Sequence, residues 1–122
     1  IKNKTITFLG VTFKPNTDDM RESPCLKLIP SLIAKKAKIN YYEPTGPKKE
    51  LEKFKNVNFS KNITEATKKS DLIIIHTEWN EFKQLNLKKI VKNKNVIVYD
   101  MRNIYSPEKI KKNGIKYYGI GK

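Results

Sequence analysis

The chain reads as a doubly wound α/β domain, a mostly parallel sheet of six strands with helices on both faces. Three observations predict it. Short apolar blocks recur along the 122 residues, separated by amphipathic stretches long enough to be right-handed crossover helices. The blocks are apolar throughout rather than alternating, as strands covered on both faces are. No repeat, low-complexity tract or Pro/Gly-rich linker divides the sequence, so residues 1–122 are expected to form one domain.

Thr5 to Gly10 has the β-branched, apolar character of a first buried strand. Ser23-Pro24 then opens a helix, with Ser23 as N-cap and Pro24 at the first helical position. Cys25, Leu28, Ile29, Leu32 and Ile33 make one apolar face of that helix, and Pro30 is expected to kink or divide it. Lys38 to Tyr42 is a second strand, closed by Glu43-Pro44. A short helix over Lys48 to Lys55 precedes a third strand, Val57 to Phe59. Asn62 with Glu65 three residues on forms a capping-box pattern opening the next helix. Leu72 to His76 is the clearest strand. A helical stretch over Phe82 to Val91 leads to a fifth strand, Val96 to Tyr99. Ser106-Pro107-Glu108 repeats the helix-start signal, Gly114 ends that helix, and Ile115 to Tyr118 is a last, edge strand.

The net charge is +14, which invites a nucleic-acid reading. The charge is spread, however: residues 1–22 carry +1, residues 23–70 +7 and residues 71–122 +6. Nearly all the excess is lysine in predicted helices and turns, whereas a nucleic-acid surface concentrates its charge on one face. No nucleic-acid partner is expected, and a stand-alone polyanion-binding module is the competing reading. No apolar run is long enough to span a bilayer, and no secretory signal opens the chain. It begins at Ile1, which points to a segment of a longer polypeptide. The single cysteine, Cys25, has no disulfide partner and no metal-ligand spacing around it. That fits a reducing, cytoplasmic setting, with Cys25 an inert core residue, and no metal is expected.

Ligands of doubly wound sheets bind beyond the carboxyl ends of the strands, where strand order reverses. The residues that follow the first, fourth and fifth strands are therefore the candidates. They include Phe13, Lys14 and Arg21, then His76 and Trp79, then Arg102. Cations and flat rings at one crevice suit a phosphate-bearing ligand with a ring. The first loop has neither the G-x-G-x-x-G nor the P-loop pattern, so the Rossmann-like sheet is not expected to hold NAD in the usual manner. Glu43 stands where dinucleotide domains place a ribose-binding acid, but without the glycine fingerprint it is not assigned that role. Asp18 and Asp19 read as loop organisers using Asx-type bonds. His76 reads as a satisfied polar residue, and Trp79 as packing under its loop.

Residues 10–24, GVTFKPNTDDMRESP, are similar to the signature that opens the C-terminal domain of the UDP-glucose/GDP-mannose dehydrogenase family. Thr77 to Phe82, TEWNEF, and Asp100 to Tyr105, DMRNIY, resemble two later landmarks of the same domain. The first run is most like the branch acting on UDP-glucose. Enzymes for UDP-N-acetylmannosamine or GDP-mannose share much of it and remain the alternatives. The resemblance implies that Phe13, Lys14 and Arg102 contact a UDP-sugar such as UDP-glucose. It also implies that Arg21 reaches NAD bound mainly by an N-terminal domain. The family reaction is a two-fold oxidation of the hexose C6 alcohol to a uronate with two NAD. Its catalytic cysteine segment and its dimer-forming central helix, the basis of a homodimer, lie outside this chain. The chain alone is expected to have no catalytic residue and no turnover.

Overall fold

The computed structural model describes residues 3–112 and 114–119. Strands β1 (Thr5–Leu9), β2 (Lys38–Tyr42), β3 (Val57–Phe59), β4 (Leu72–Ile75), β5 (Ile97–Asp100) and β6 (Lys116–Gly119) alternate with six helices. These are α1 (Cys25–Ala34), α2 (Lys49–Glu52), α3 (Ile63–Thr67), α4 (Asn80–Lys83), α5 (Leu87–Ile90) and α6 (Pro107–Lys112). The sheet order is β3-β2-β1-β4-β5-β6, and all its pairings are parallel. This is the strand order of a doubly wound Rossmann-like sheet, as the alternation of blocks predicts.

Side chains alternate across the strands, so each face buries its own set. Ile6 and Phe8 of β1 pack with Ile39 and Tyr41 of β2 against Cys25 and Ile29 of α1 and Leu51 of α2. Leu9, Ile73, Ile75 and Val98 face the other way and meet Phe82 of α4, Leu87 of α5 and Ile110 of α6. The central strands β1 and β4, covered on both faces, are buried almost throughout, as the sequence reading expects. Strands β2, β3, β5 and β6, toward the edges, alternate more and less exposed positions instead.

Three local expectations need correction. Helix α1 runs unbroken through Pro30. The missing N–H removes one helical bond, yet the residues on either side of the proline are held on the sheet by a common apolar face. Its start also differs: Pro24 already has helical dihedrals and precedes the first helical residue, Cys25. Ser23 contributes through its hydroxyl, which accepts from the Cys25 amide at 3.3 Å. The expected stretch over Phe82 to Val91 is two short helices, α4 and α5. Asn86 interrupts it, because its side-chain oxygen accepts from the Lys89 amide and starts a new helix. The capping residue Asn62 behaves as expected, accepting from the Glu65 amide at 2.8 Å.

Register places the functional rim. Leu9 is level with both Tyr42 and Ile75, and Ile75 is level with Asp100. Four strands therefore end together, and Gly10, Glu43, His76 and Met101 are the first residues beyond the sheet.

Candidate functional site

Strand order reverses between β1 and β4, and there the two strand ends are laced together. The amides of His76 and Thr77 both donate to the Leu9 carbonyl, at 3.0 and 3.3 Å. The Thr77 hydroxyl donates to the Thr12 carbonyl at 2.8 Å. Gly10 makes this approach possible. Its φ is +82°, and a Cβ there would sit 2.5 Å from the Thr77 Cβ. No other residue type combines that dihedral with that lack of bulk.

Past Gly10 the chain does not turn directly into a helix; it makes a long loop to Ser23. Its root is held by Glu43, 1% exposed, whose Oε1 accepts from the Val11 amide at 2.9 Å and the Thr12 amide at 3.4 Å. The other carboxylate oxygen accepts from the amide and hydroxyl of Thr45, at 3.1 and 2.8 Å. The far end is held by Ser23, whose hydroxyl donates to the Val11 carbonyl. In the middle, Asp19 accepts from the Arg21 amide at 2.8 Å, the Asx-type bond expected of it. Lys48 reaches the Asp18 carbonyl at 3.4 Å.

The loop presents a surface cavity of about 470 Å³ lined by Phe13, Lys14, Thr17, Asp19, Arg21 and Glu22. Lys14 is exposed, with its ammonium 5.7 Å from the centre of the Phe13 ring. Arg21 is turned onto Asp19, with Nε 3.1 Å from both carboxylate oxygens and a terminal nitrogen 2.9 Å from one of them. The pair lies in solvent, and the guanidinium holds the Asp19 carboxyl below its ordinary value.

Arg102 arrives from the end of β5 and is half-buried. Its Nε donates to the His76 carbonyl at 2.7 Å, and a terminal nitrogen donates to the Phe13 carbonyl at 3.3 Å. Its own amide donates to Asp100 Oδ1. The fully buried Asp100 also accepts, at Oδ2, from the Tyr105 amide and the Tyr117 hydroxyl. Arg102 does not line the cavity, but it bonds to the same loop one residue before Lys14. Residues from the loops after β1, β4 and β5 thus meet at one rim.

His76 departs from expectation. It is fully buried with Nδ1 3.2 Å from the Thr77 hydroxyl, but Nε2 finds no hydrogen-bond partner among the described residues. Burial, and then the Arg102 charge, push its pKa down to about 4, so it is neutral at pH 7. Trp79 packs on the apolar cluster of the α4 side, and its Nε1 likewise has no partner among the described residues. Cys25 is fully buried and its thiol is pushed well up by burial, which makes it a poor nucleophile. Among the described residues no group of three or more His, Cys, Asp or Glu could hold a metal ion, and no helix is long and apolar enough to cross a membrane.

Glu43 is the residue whose part sequence reasoning did not find. It stands where dinucleotide domains place a ribose-binding acid, a role not assigned to it without the glycine fingerprint, and the structure turns it inward onto loop amides. A dinucleotide pyrophosphate needs such amides free at the end of the first strand. Here Val11 and Thr12 are engaged by Glu43, and the Gly10 amide donates to the Tyr42 carbonyl at 2.8 Å. The crevice does not fit NAD.

Comparison with known proteins identifies the family of the chain and its fold. The profile of the UDP-glucose/GDP-mannose dehydrogenase family, UDP binding domain, matches residues 7–107. The UDP-glucose 6-dehydrogenase of Rickettsia prowazekii is 40% identical over 99% of this chain, which spans 29% of that protein. A UDP-D-ManNAc dehydrogenase from Pyrococcus horikoshii superposes with a TM-score of 0.74 at 28% identity, over 98% of this chain and 26% of that one. An NDP-N-acetyl-D-galactosaminuronic acid dehydrogenase from Methanosarcina mazei shares the fold, with a TM-score of 0.85 at 22% identity over 99% of this chain and 25% of that one. The chain spans less than a third of the length of the curated relatives it matches. It belongs to the UDP-glucose/GDP-mannose dehydrogenase family, and the part of that family it represents is the UDP binding domain.

Proposed function

We propose that this chain is the substrate-holding domain of a UDP-glucose 6-dehydrogenase, and that it binds the UDP part of the sugar nucleotide at the loops after β1, β4 and β5. The observation that carries the reading is Arg102, which joins the His76 and Phe13 carbonyls beside the exposed Lys14. A guanidinium held in place by two carbonyls loses little further freedom on meeting a diphosphate, and a neighbouring ammonium adds charge. Phe13, 36% exposed, offers a flat apolar surface to the ligand beside them.

The oxidation itself belongs to residues outside this chain. NAD would be held elsewhere in the protein, since the crevice here does not accommodate it. Arg21 is the residue assigned to meet that cofactor across a domain boundary. The lysine-rich surface is compatible with this role without a nucleic-acid partner. Every described lysine except Lys48 is exposed, and such a surface favours anionic ligands generally.

Calorimetric titration of the chain with UDP and UDP-glucose, against GDP and a DNA duplex, tests the proposal. Saturable UDP binding that weakens in Lys14→Ala and Arg102→Ala supports it. Binding unaffected by both substitutions, or DNA binding that exceeds UDP binding at moderate salt, refutes it.

A further inference from the structure

The Rossmann strand order normally leaves an anion nest at the end of its first strand: backbone N–H groups aimed at a phosphate. In this chain the groups are present, and an internal anion already occupies them. Glu43 leaves β2 level with Gly10 and sends its carboxylate across to the Val11 and Thr12 amides. Its second oxygen is fixed by Thr45, so both ends of the carboxylate are committed. Among the described residues no basic side chain pairs with Glu43, although it is 1% exposed. Amides and a hydroxyl supply what solvent or a cation would otherwise give it.

We propose that Glu43 is a built-in occupant of the phosphate nest and a specificity-determining residue of the site. It bars a dinucleotide pyrophosphate from the backbone amides and fixes the root of the loop that carries Phe13 and Lys14. The diphosphate of the ligand is left to side chains, Lys14 and Arg102, instead of the main chain. Two consequences follow from the geometry. Removing the carboxylate exposes a vacant pair of amides to external anions. It also loosens the Gly10–Phe13 segment, which loses the acceptor of the Val11 and Thr12 amides. The segment keeps the Gly10 amide on the Tyr42 carbonyl, the Phe13 amide on the Asp19 carbonyl, the Thr77 hydroxyl on the Thr12 carbonyl, the Ser23 hydroxyl on the Val11 carbonyl and Arg102 on the Phe13 carbonyl.

The second consequence rests on the UDP reading above; the first does not, so the experiment keeps them apart. In a Lys14→Ala background, which weakens the side-chain site, inorganic pyrophosphate is titrated into ¹⁵N-labelled chain with and without Glu43→Ala. The Val11 and Thr12 amide resonances are expected to move only when Glu43 is replaced. No movement in the double variant, or equal movement with Glu43 present, overturns the proposal. With Lys14 intact, Glu43→Ala is expected to lower UDP affinity about tenfold, and added formate, a carboxylate small enough for the vacated space, to restore part of it. A UDP affinity unchanged by the substitution overturns the loop-fixing half. Should Glu43→Ala not fold, Glu43→Gln keeps the volume and removes the charge. The Val11 amide proton is then expected to move upfield as its acceptor weakens, and an unmoved resonance overturns the proposal. Absence of UDP binding to the unsubstituted chain counts against the proposed function alone, because the pyrophosphate arm still reads the nest.

Discussion

Arg102 Nε donates to the carbonyl of His76 at 2.7 Å, tying the residue after β4 to the loop after β5. The same guanidinium reaches the Phe13 carbonyl, so one side chain spans three loops. Arg102→Ala is expected to lower stability by about 1.5–3 kcal/mol, the range for hydrogen bonds to a charged donor. UDP affinity should fall by about 10- to 100-fold. Arg102→Lys is not expected to rescue either property, since an ammonium lacks the planar fork that meets two carbonyls in fixed directions. Urea denaturation and calorimetric titration of both variants check this; a Lys variant equal to the parent refutes it.

Gly10 and Gly114 both have positive φ, +82° and +78°, yet their replacement should have unequal effects. A Cβ at Gly114 meets nothing within 4 Å among the described residues, while at Gly10 it meets Thr77 backbone and side chain from 2.5 Å outward. Gly114→Ala carries only the left-handed penalty, about 1 kcal/mol. Gly10→Ala adds a clash that neither laced strand end can relieve, so a loss of about 3 kcal/mol or more is expected. Comparable urea midpoints for the two variants would show that the strand ends are looser than described.

Much of the fold was legible because its determinants are local and repeated. The block Leu72–Ile75 is apolar at every position, and Asn62 carries its cap in its own side chain. Pro30 misled because a local rule was outweighed by packing on both sides of it, which a single segment does not reveal. The rim could be anticipated for Arg102 and Lys14, since strand ends are known once strands are. What it uses from the main chain could not: the His76 and Phe13 carbonyls that receive Arg102 have no sequence signature. Glu43 was visible as an acid after the second strand, but its inward turn depends on β1 and β2 ending level.

Lys14 and Arg21 line the same cavity but should respond differently. Lys14 is exposed and its ammonium lies near the Phe13 ring, whereas Arg21 already shares its guanidinium with Asp19. In this chain Lys14→Ala is expected to weaken UDP binding about tenfold or more. Arg21→Ala is expected to leave it within about twofold, and to leave stability essentially unchanged, as loss of a solvent-screened pair would. Parallel titrations of the two variants at one salt concentration decide it. A large loss in Arg21→Ala would move the diphosphate toward that end of the cavity.

His76 gives the chain an acid-sensitive element. Its folded pKa is about 4, against 6.5 for the free side chain, so the unfolded chain binds the extra proton throughout that interval. Stability therefore rises with pH across the window: the contribution is complete above about 6.5 and is lost progressively as pH falls toward 4. The full amplitude is about 3 kcal/mol. Asp19, whose folded pKa is lowered by Arg21, acts in the same direction but below the ordinary aspartate value of 3.8, so the two ranges separate. Replacing the imidazole with an apolar ring should remove the slope, and it leaves the His76 carbonyl that holds Arg102 in place. Phe8 is already a ring neighbour, at 6.3 Å between centroids, and the Nε2 that lacks a partner among the described residues would be gone. Urea denaturation of the parent and of His76→Phe from pH 7 to pH 4 is the measurement. A parent whose stability falls steeply beside a variant that stays level is the expected result; equal slopes would assign the acid sensitivity to the carboxylates instead.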